Sequence, residues 1–336
     1  MPSTTSRASL KNSPQTSKLR IAETSYKALF CRIWRTGRVS QCACARQEYH
    51  VERDVMHQQP IVIDFHTHAA PHADDTPSFD AMMVGIMGSR ERLDAHYAHY
   101  ADPAHFVDEI HNNGLDYAVV LAAYTPLCSG TTPNEFVETY CAQHRELLPF
   151  CSFNPYAEPD MPSALRALQA KGFKGLKLYP SYNHFFMNEA RMYPLYEVAQ
   201  ELDLPILVHI GTSIFQNTRL KYCNPVDIDD VATDFPDLNI LMAHGGRMAW
   251  YDQAMTITRL HANVHIELSG IPPKKLLSIF PEMERFSHKF VFGTDWPQVK
   301  ATKSIAAIRA LPLSEDAQNR ILGGNAARLL HLSEYA

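Results

Sequence analysis

The stretch Ile61-Val62-Ile63-Asp64-Phe65-His66-Thr67-His68 decides how the rest of the chain is read. It opens with the β-branched apolar run Ile61-Val62-Ile63, and the period-2 geometry of a strand puts His66 and His68 on one side, aimed at one point. Two imidazoles on one face can share one metal ion. Beyond it, short apolar runs predict seven more strands, at residues 117–122, 149–153, 175–178, 206–209, 240–243, 264–268 and 290–293. Amphipathic stretches predicted to be helical lie between them, at 103–112, 134–145, 161–171, 192–202, 226–234, 248–260, 273–285 and 302–311. Strand–helix alternation repeated eight times in about 280 residues matches a (β/α)8 TIM barrel, typically about 250 residues long. No GxGxxG follows the first strand, which disfavours a doubly wound sheet, and no fixed-period repeat suggests a solenoid. Residues 69–102 are expected to form an excursion over the barrel mouth, and helices at 315–322 and 326–332 to close the chain.

The composition is that of an ordinary globular protein with enough chain for a sizeable core: 336 residues, 46% hydrophobic and 20% charged. No apolar run approaches the roughly 18 residues of a membrane span. The formal charge of −5 hides a split, since residues 1–55 hold ten Lys/Arg against four Asp/Glu, or +6, leaving −11 on residues 56–336. So acidic a body offers no electrostatic footprint for nucleic acid or an anionic membrane. The expected organisation is a poorly ordered basic leader at 1–55 and a barrel domain at 56–336. The leader, rich in Arg and Ser, reads as an organelle transit peptide or as sequence upstream of a true start at Met56. Seven cysteines, an odd number with no short-spaced pair in the body, read as reduced thiols, hence a cytoplasmic location unless the leader directs import.

In such a barrel the active site forms at the C-terminal ends of the strands. His66 and His68 end the first strand, Lys177 stands on the fourth, His209 ends the fifth, His244 the sixth and Asp295 the eighth. Each sits in or ends a mainly apolar run, where an unpartnered ionisable side chain costs several kcal/mol. A shared metal ion supplies the partner.

These residues carry a resemblance. Asp64-Phe65-His66-Thr67-His68, Gly175-Leu176-Lys177-Leu178-Tyr179-Pro180, His209-Ile210-Gly211-Thr212-Ser213, His244-Gly245-Gly246-Arg247, Gly293-Thr294-Asp295-Trp296-Pro297 and Gly324-Asn325-Ala326-Ala327-Arg328-Leu329-Leu330 resemble, in order, the motifs of the amidohydrolase superfamily. They are most similar to its amidohydrolase-2 branch, which includes aminocarboxymuconate-semialdehyde decarboxylase. The resemblance implies that His66, His68, His209 and Asp295 bind one divalent ion, with Zn2+ expected and Mn2+ or Fe2+ as alternatives. It implies that Asp295 moves the proton of an activated water and that His244 serves as acid/base. A binuclear site, with His244 on a second ion and a carboxylated Lys177 bridging the two, is the less favoured arrangement. Arg247, Trp296 and Tyr179 are substrate-binding candidates, with Tyr182 as a further hydrogen-bond donor. His72, Asp74 and Asp75 read as solvated loop residues.

The expected function is hydrolysis of an ester, lactone or amide of a small organic acid. The alternative is non-oxidative decarboxylation of an aromatic or unsaturated acid. Lys177 tilts the choice to hydrolysis, because decarboxylases of the branch tend to lack a lysine on the fourth strand. A metal-binding barrel without catalysis is the remote third reading. The expected partner is a small organic acid or its derivative, and the protein assembly considered is a homodimer.

Overall fold

The first strand, β1 (Ile63–Thr67), pairs in parallel with β2 (Tyr117–Leu121) and begins an eight-stranded sheet. The computed structural model describes residues 60–68 and 74–332. The leader and His72 lie outside the described residues.

A hairpin follows β2, made of β3 (Ala123–Thr125) and β4 (Gly130–Thr132). The barrel continues with β5 (Leu147–Ser152), β6 (Gly175–Leu178), β7 (Ile206–Gly211), β8 (Ile240–Arg247), β9 (Val264–Glu267) and β10 (Phe290–Val291). The sheet order is β1-β2-β5-β6-β7-β8-β9-β10, and the pairings along it are parallel. Closure comes from β1 itself: Phe65 N donates to Phe292 O at 3.0 Å, Asp295 N to His66 O at 2.9 Å and His68 N to Trp296 O at 2.9 Å. The expected TIM barrel is the observed fold, and these closing bonds bring Asp295 beside His66 and His68.

Alternation along the strands divides the core into two shells. Ile63, Phe65, Leu121, Phe150, Leu207 and Leu241 fill the barrel interior, while Val120, Leu176, Val208, Ile240 and Ile266 pack against the outer helices. Lys177, His209 and Glu267 have the inward parity and share the interior with the first group.

Two departures from expectation have local causes. Residues 273–285 do not form one helix. They hold a 3-10 turn at Pro273–Lys275 and a four-residue helix at Leu276–Ile279, because Pro281 lacks an amide hydrogen and pushes Phe280 out of the helical region. The β3–β4 hairpin is too short to show an alternating pattern, and its bend uses Gly130 at φ 116°.

The long connection after β1 folds into α1 (Pro77–Met87) and α2 (Arg90–Tyr100), then α3 (Pro103–Asn112). Thr76 caps α1 by accepting from Phe79 N, and Ser89 caps α2 by accepting from Arg92 N. Phe79, Met82 and Met83 of α1 line the pocket at the C-terminal barrel mouth, as the excursion implied. No described helix is long and apolar enough to cross a membrane.

Candidate metal centre

His66 enters the mouth where the β1–β2 register shifts, between Asp64 and Thr67. Its Nε2 lies 3.4 Å from Asp295 Oδ1, and His68 Nε2 lies 3.2 Å from the same oxygen. The donor atoms of His66, His68 and Asp295 all fall within 4.8 Å of one another. Asp295 has φ 59° and His244 φ 65°, left-handed conformations that non-glycine residues rarely adopt. Each costs of order 1–3 kcal/mol, and such strain is concentrated where a side chain must be re-aimed at a site.

His209 does not join that trio within the same distance. Its Nε2 is buried without a hydrogen-bond partner among the described residues, and its ring packs edge-on against His244 at 4.7 Å between centroids. His244 Nδ1 lies 3.1 Å from the Ser269 carbonyl, which only accepts, so Nδ1 carries the proton and Nε2 keeps its lone pair.

Beneath the histidines lies a residue that the sequence reading did not single out. Glu267, at the end of β9, is fully buried and forms a second cluster with His66 and His244. Its Oε2 accepts from His66 Nδ1 at 3.0 Å and from Ser269 Oγ at 2.8 Å, while Oε1 accepts from Ser269 N at 2.6 Å. Ser269 Oγ also lies 2.9 Å from His244 Nδ1, so one hydroxyl ties both imidazoles to one carboxylate. Gly293 is required here, since a Cβ on it would come within 2.2 Å of Glu267 Oε1. The signal was present in Val264-His265-Ile266-Glu267: an acid with inward parity at a strand end, by the same rule that picked out Lys177.

The electrostatics suit a cation. Desolvation holds His66, His209 and His244 well below the usual imidazole range, so their lone pairs are free at neutral pH. Burial pushes the Asp295 carboxyl up, but the surrounding imidazoles of His66, His68 and His244 outweigh it and hold the group well below the usual carboxylate range. Neutral imidazoles around an ionised carboxylate, with an orphaned His209 Nε2, are the proton-free donor set that a divalent ion requires. Lys177 is also fully buried, and its Nζ has no hydrogen-bond partner among the described residues, though it stands over the Tyr179 ring at 5.0 Å. Burial lowers its pKa to about 8, against the opposing pull of Glu267 and Asp295.

The pocket above has a volume of about 280 Å3. His66, His68, His209, His244 and Asp295 form its polar end, and Phe79, Met82, Met83, Tyr179, Tyr182 and Phe215 its apolar walls. Arg247 reaches it with Nε and Nη2 both donating to the Thr212 carbonyl, and it forms no ion pair with a carboxylate among the described residues. Tyr179 donates to Ala122 O at 3.3 Å, and the Tyr182 hydroxyl meets Ser213 Oγ at 2.9 Å. Trp296 is not brought to the pocket. Its ring turns outward against Phe106 at 4.5 Å, Tyr100 at 4.9 Å and His96 at 5.2 Å, because α2 and α3 present an aromatic surface there. Asp74 is a structural residue, accepting from Thr131 N and Oγ1, and Asp75 lies 3.5 Å from the Tyr97 hydroxyl.

The amidohydrolase family Amidohydro_2 matches residues 63–332, a span that takes in every one of these side chains. The chain belongs to the amidohydrolase family. Among solved structures it is similar to an uncharacterized TIM-barrel protein from Bordetella bronchiseptica, at 19% identity over 81% of this chain and 99% of that one, with a TM-score of 0.67. A dihydroxybenzoic acid decarboxylase from Polaromonas, solved with bound manganese and 2-nitroresorcinol, matches at 17% identity over 81% and 97%, with a TM-score of 0.61. A probable 2-pyrone-4,6-dicarboxylic acid hydrolase from Acinetobacter baumannii matches at 17% over 80% and 99%, with a TM-score of 0.58. At these identities the likeness is one of fold. No curated protein matches the chain.

Proposed function

We propose that this amidohydrolase is a metal-dependent carboxy-lyase that removes CO2, without oxidation, from a small aromatic or conjugated carboxylic acid. The observation that carries the reading is a ring-sized chamber walled by Phe79, Tyr179, Tyr182 and Phe215, opening directly onto the histidine–aspartate cluster, with Arg247 beside it. This reverses the order in which the sequence ranked hydrolysis and decarboxylation. The Polaromonas decarboxylase supports the reversal as a neighbour in fold.

His66, His68, His209 and Asp295 would hold the ion. When bound, a divalent ion such as Zn2+ or Mn2+ draws electron density from the substrate's oxygen atoms. Glu267, by accepting from His66 Nδ1, fixes the tautomer that turns Nε2 toward the cluster. Arg247, braced on the Thr212 carbonyl, binds the substrate's anionic group with its remaining guanidinium hydrogens. The aromatic walls hold the ring and exclude water, which penalises a localised carboxylate more than the dispersed charge formed as the carbon–carbon bond breaks. A proton must reach the carbon that bears the carboxylate, and the electron pair of the breaking bond then restores the conjugated system as CO2 leaves. Asp295 rests as an anion, so it first takes a proton from substrate or water and then delivers it, with His244 Nε2 as the neighbouring acid/base.

Hydrolysis of an ester, lactone or amide is the second reading, and Lys177 favours it. A buried lysine with no hydrogen-bond partner among the described residues and a pKa lowered by burial to about 8 is partly uncharged near neutral pH, the form that reacts with CO2. Carboxylation there would turn a cation into an anionic donor, which with His244 could hold a second ion.

Metal-loaded enzyme is to be offered hydroxybenzoates and carboxymuconate-type acids beside lactones, aryl esters and N-acyl compounds, in 18O-labelled water. CO2 release with no 18O in the organic product is expected. Turnover confined to the second group, with 18O in the product, would establish the hydrolase instead.

A further inference from the structure

A second chamber, of about 340 Å3, lies on the far side of Arg247. It sits between the loops that follow β9 and β10 and the helix Ala301–Arg309, and it is largely apolar, with Leu268, Ile271, Phe292 and Ile308 among its walls. Three observations join it to the first. Arg247 and Gln298 line both chambers. The Arg247 guanidinium stands at the junction, braced on the Thr212 carbonyl through Nε and Nη2, while Nη1 passes where a side chain at residue 270 would be. Gly270 keeps that space open, because a Cβ there would come within 2.7 Å of Nη1. Finally, one helix face covers both. Phe79, Met82, Met83 and Ile86 recur along α1 at the i, i+3, i+4, i+7 spacing, the first three over the metal-side chamber and Ile86 over the second.

A continuous apolar roof over two chambers, with a guanidinium at their junction that meets no carboxylate among the described residues, describes a single bipartite site. Small-molecule sites usually occupy about 300–1,000 Å3. The metal-side chamber alone, at about 280 Å3, falls just short of that range, and the two together lie inside it. We propose that the ligand is an acid with two parts: a planar head in the metal-side chamber, anchored by Arg247, and an apolar arm of several carbons that passes beneath α1 into the second chamber. The acid head rests on the functional reading above, whereas the second chamber and its arm do not.

The test uses full-length, metal-loaded protein and non-reacting probes: benzoate and its 2-methyl, 2-butyl and 2-hexyl derivatives, beside the matching 2-alkylphenols, with affinity measured by calorimetry. Affinity should rise about fourfold for each methylene that enters an apolar site. Butyl- and hexylbenzoate are therefore expected to bind more than tenfold tighter than benzoate. Ile86→Asp and Val299→Asp alter residues that line only the second chamber, and both are partly exposed, so folding is not at stake in either. Each should abolish the gain with chain length and leave benzoate affinity within twofold. Flat affinity across both series, or equal losses for benzoate and hexylbenzoate in both variants, would overturn the proposal. If the benzoates fail to bind while the phenols show the chain-length gain and lose it in the variants, the second chamber stands and the acid reading falls.

Discussion

Glu267→Gln separates the residues that hold an ion from the one that aims them. Glu267 touches no bound species in the scheme above and acts through His66 Nδ1 at 3.0 Å. The substitution keeps the side-chain volume and one oxygen, but it replaces an anionic acceptor by an amide. Groups that orient a metal-binding imidazole in this way typically govern 10–100-fold of metal affinity. At about 1.4 kcal/mol per factor of ten, that is about 1.4–2.8 kcal/mol. The fold should tolerate the change, because burial already pushes the Glu267 carboxyl up to about 7 and a neutral amide escapes that penalty. Metal-stripped protein is titrated with Zn2+ and Mn2+ against a competing chelator, and the unfolding temperature of the metal-free forms is recorded beside it. A 10–100-fold weaker metal affinity with an unchanged or higher melting temperature is expected. Affinities within twofold of each other would refute the orienting role, and a collapse in metal-free stability would make Glu267 structural.

Asp295→Asn should abolish turnover, at least 1,000-fold on the order of what a lost acid/base group costs, while circular dichroism stays native; activity within tenfold would mean the site is misplaced. Asp227, at the start of the helix Asp227–Asp234, carries a carboxyl raised to about 6 by burial and by Asp230. The native state therefore binds the extra proton between about pH 4 and 6, and stability falls as pH rises through that window. Asp227→Asn should raise the melting temperature relative to wild type at pH 8, with the two converging near pH 3.5; the opposite ordering at pH 8 would contradict the sign. Burial raises the thiols of Cys128 to about 11 and Cys141 to about 12, and lifts Cys151 and Cys223 as well. Mass-spectrometric mapping after iodoacetamide at pH 8 should find all four unmodified in native protein and all four labelled in guanidinium.

Much of this arrangement was legible in the chain because a parallel barrel writes itself in a simple code. Buried strands read as apolar runs, and ionisable residues that interrupt or end them mark the catalytic rim. That rule located His66, His68, Lys177, His209, His244 and Asp295. It missed Glu267 because the strand was expected to run on to Leu268, which placed the acid inside the apolar run, whereas β9 ends at Glu267 itself. Trp296 could not be placed by sequence. It follows Asp295 directly, yet its direction depends on the aromatic face that α2 and α3 bring from residues 96, 100 and 106. Reaction type was the least legible feature. Hydrolysis and decarboxylation share the same donor set, and the choice turns on walls supplied by α1 and by the loop after β7, which no local pattern positions. The single residue that favoured hydrolysis, Lys177, is buried without a hydrogen-bond partner among the described residues.

The metal centre is tested most directly by counting ions. Protein purified without added metal, and its His68→Ala variant, are to be analysed by inductively coupled plasma mass spectrometry together with intact mass. About one divalent ion per wild-type chain, its loss in the variant, and no 44 Da adduct on Lys177 are expected. A metal-free wild type, or a variant that keeps its ion, would contradict the centre itself; two ions with the 44 Da adduct would replace it with a binuclear one.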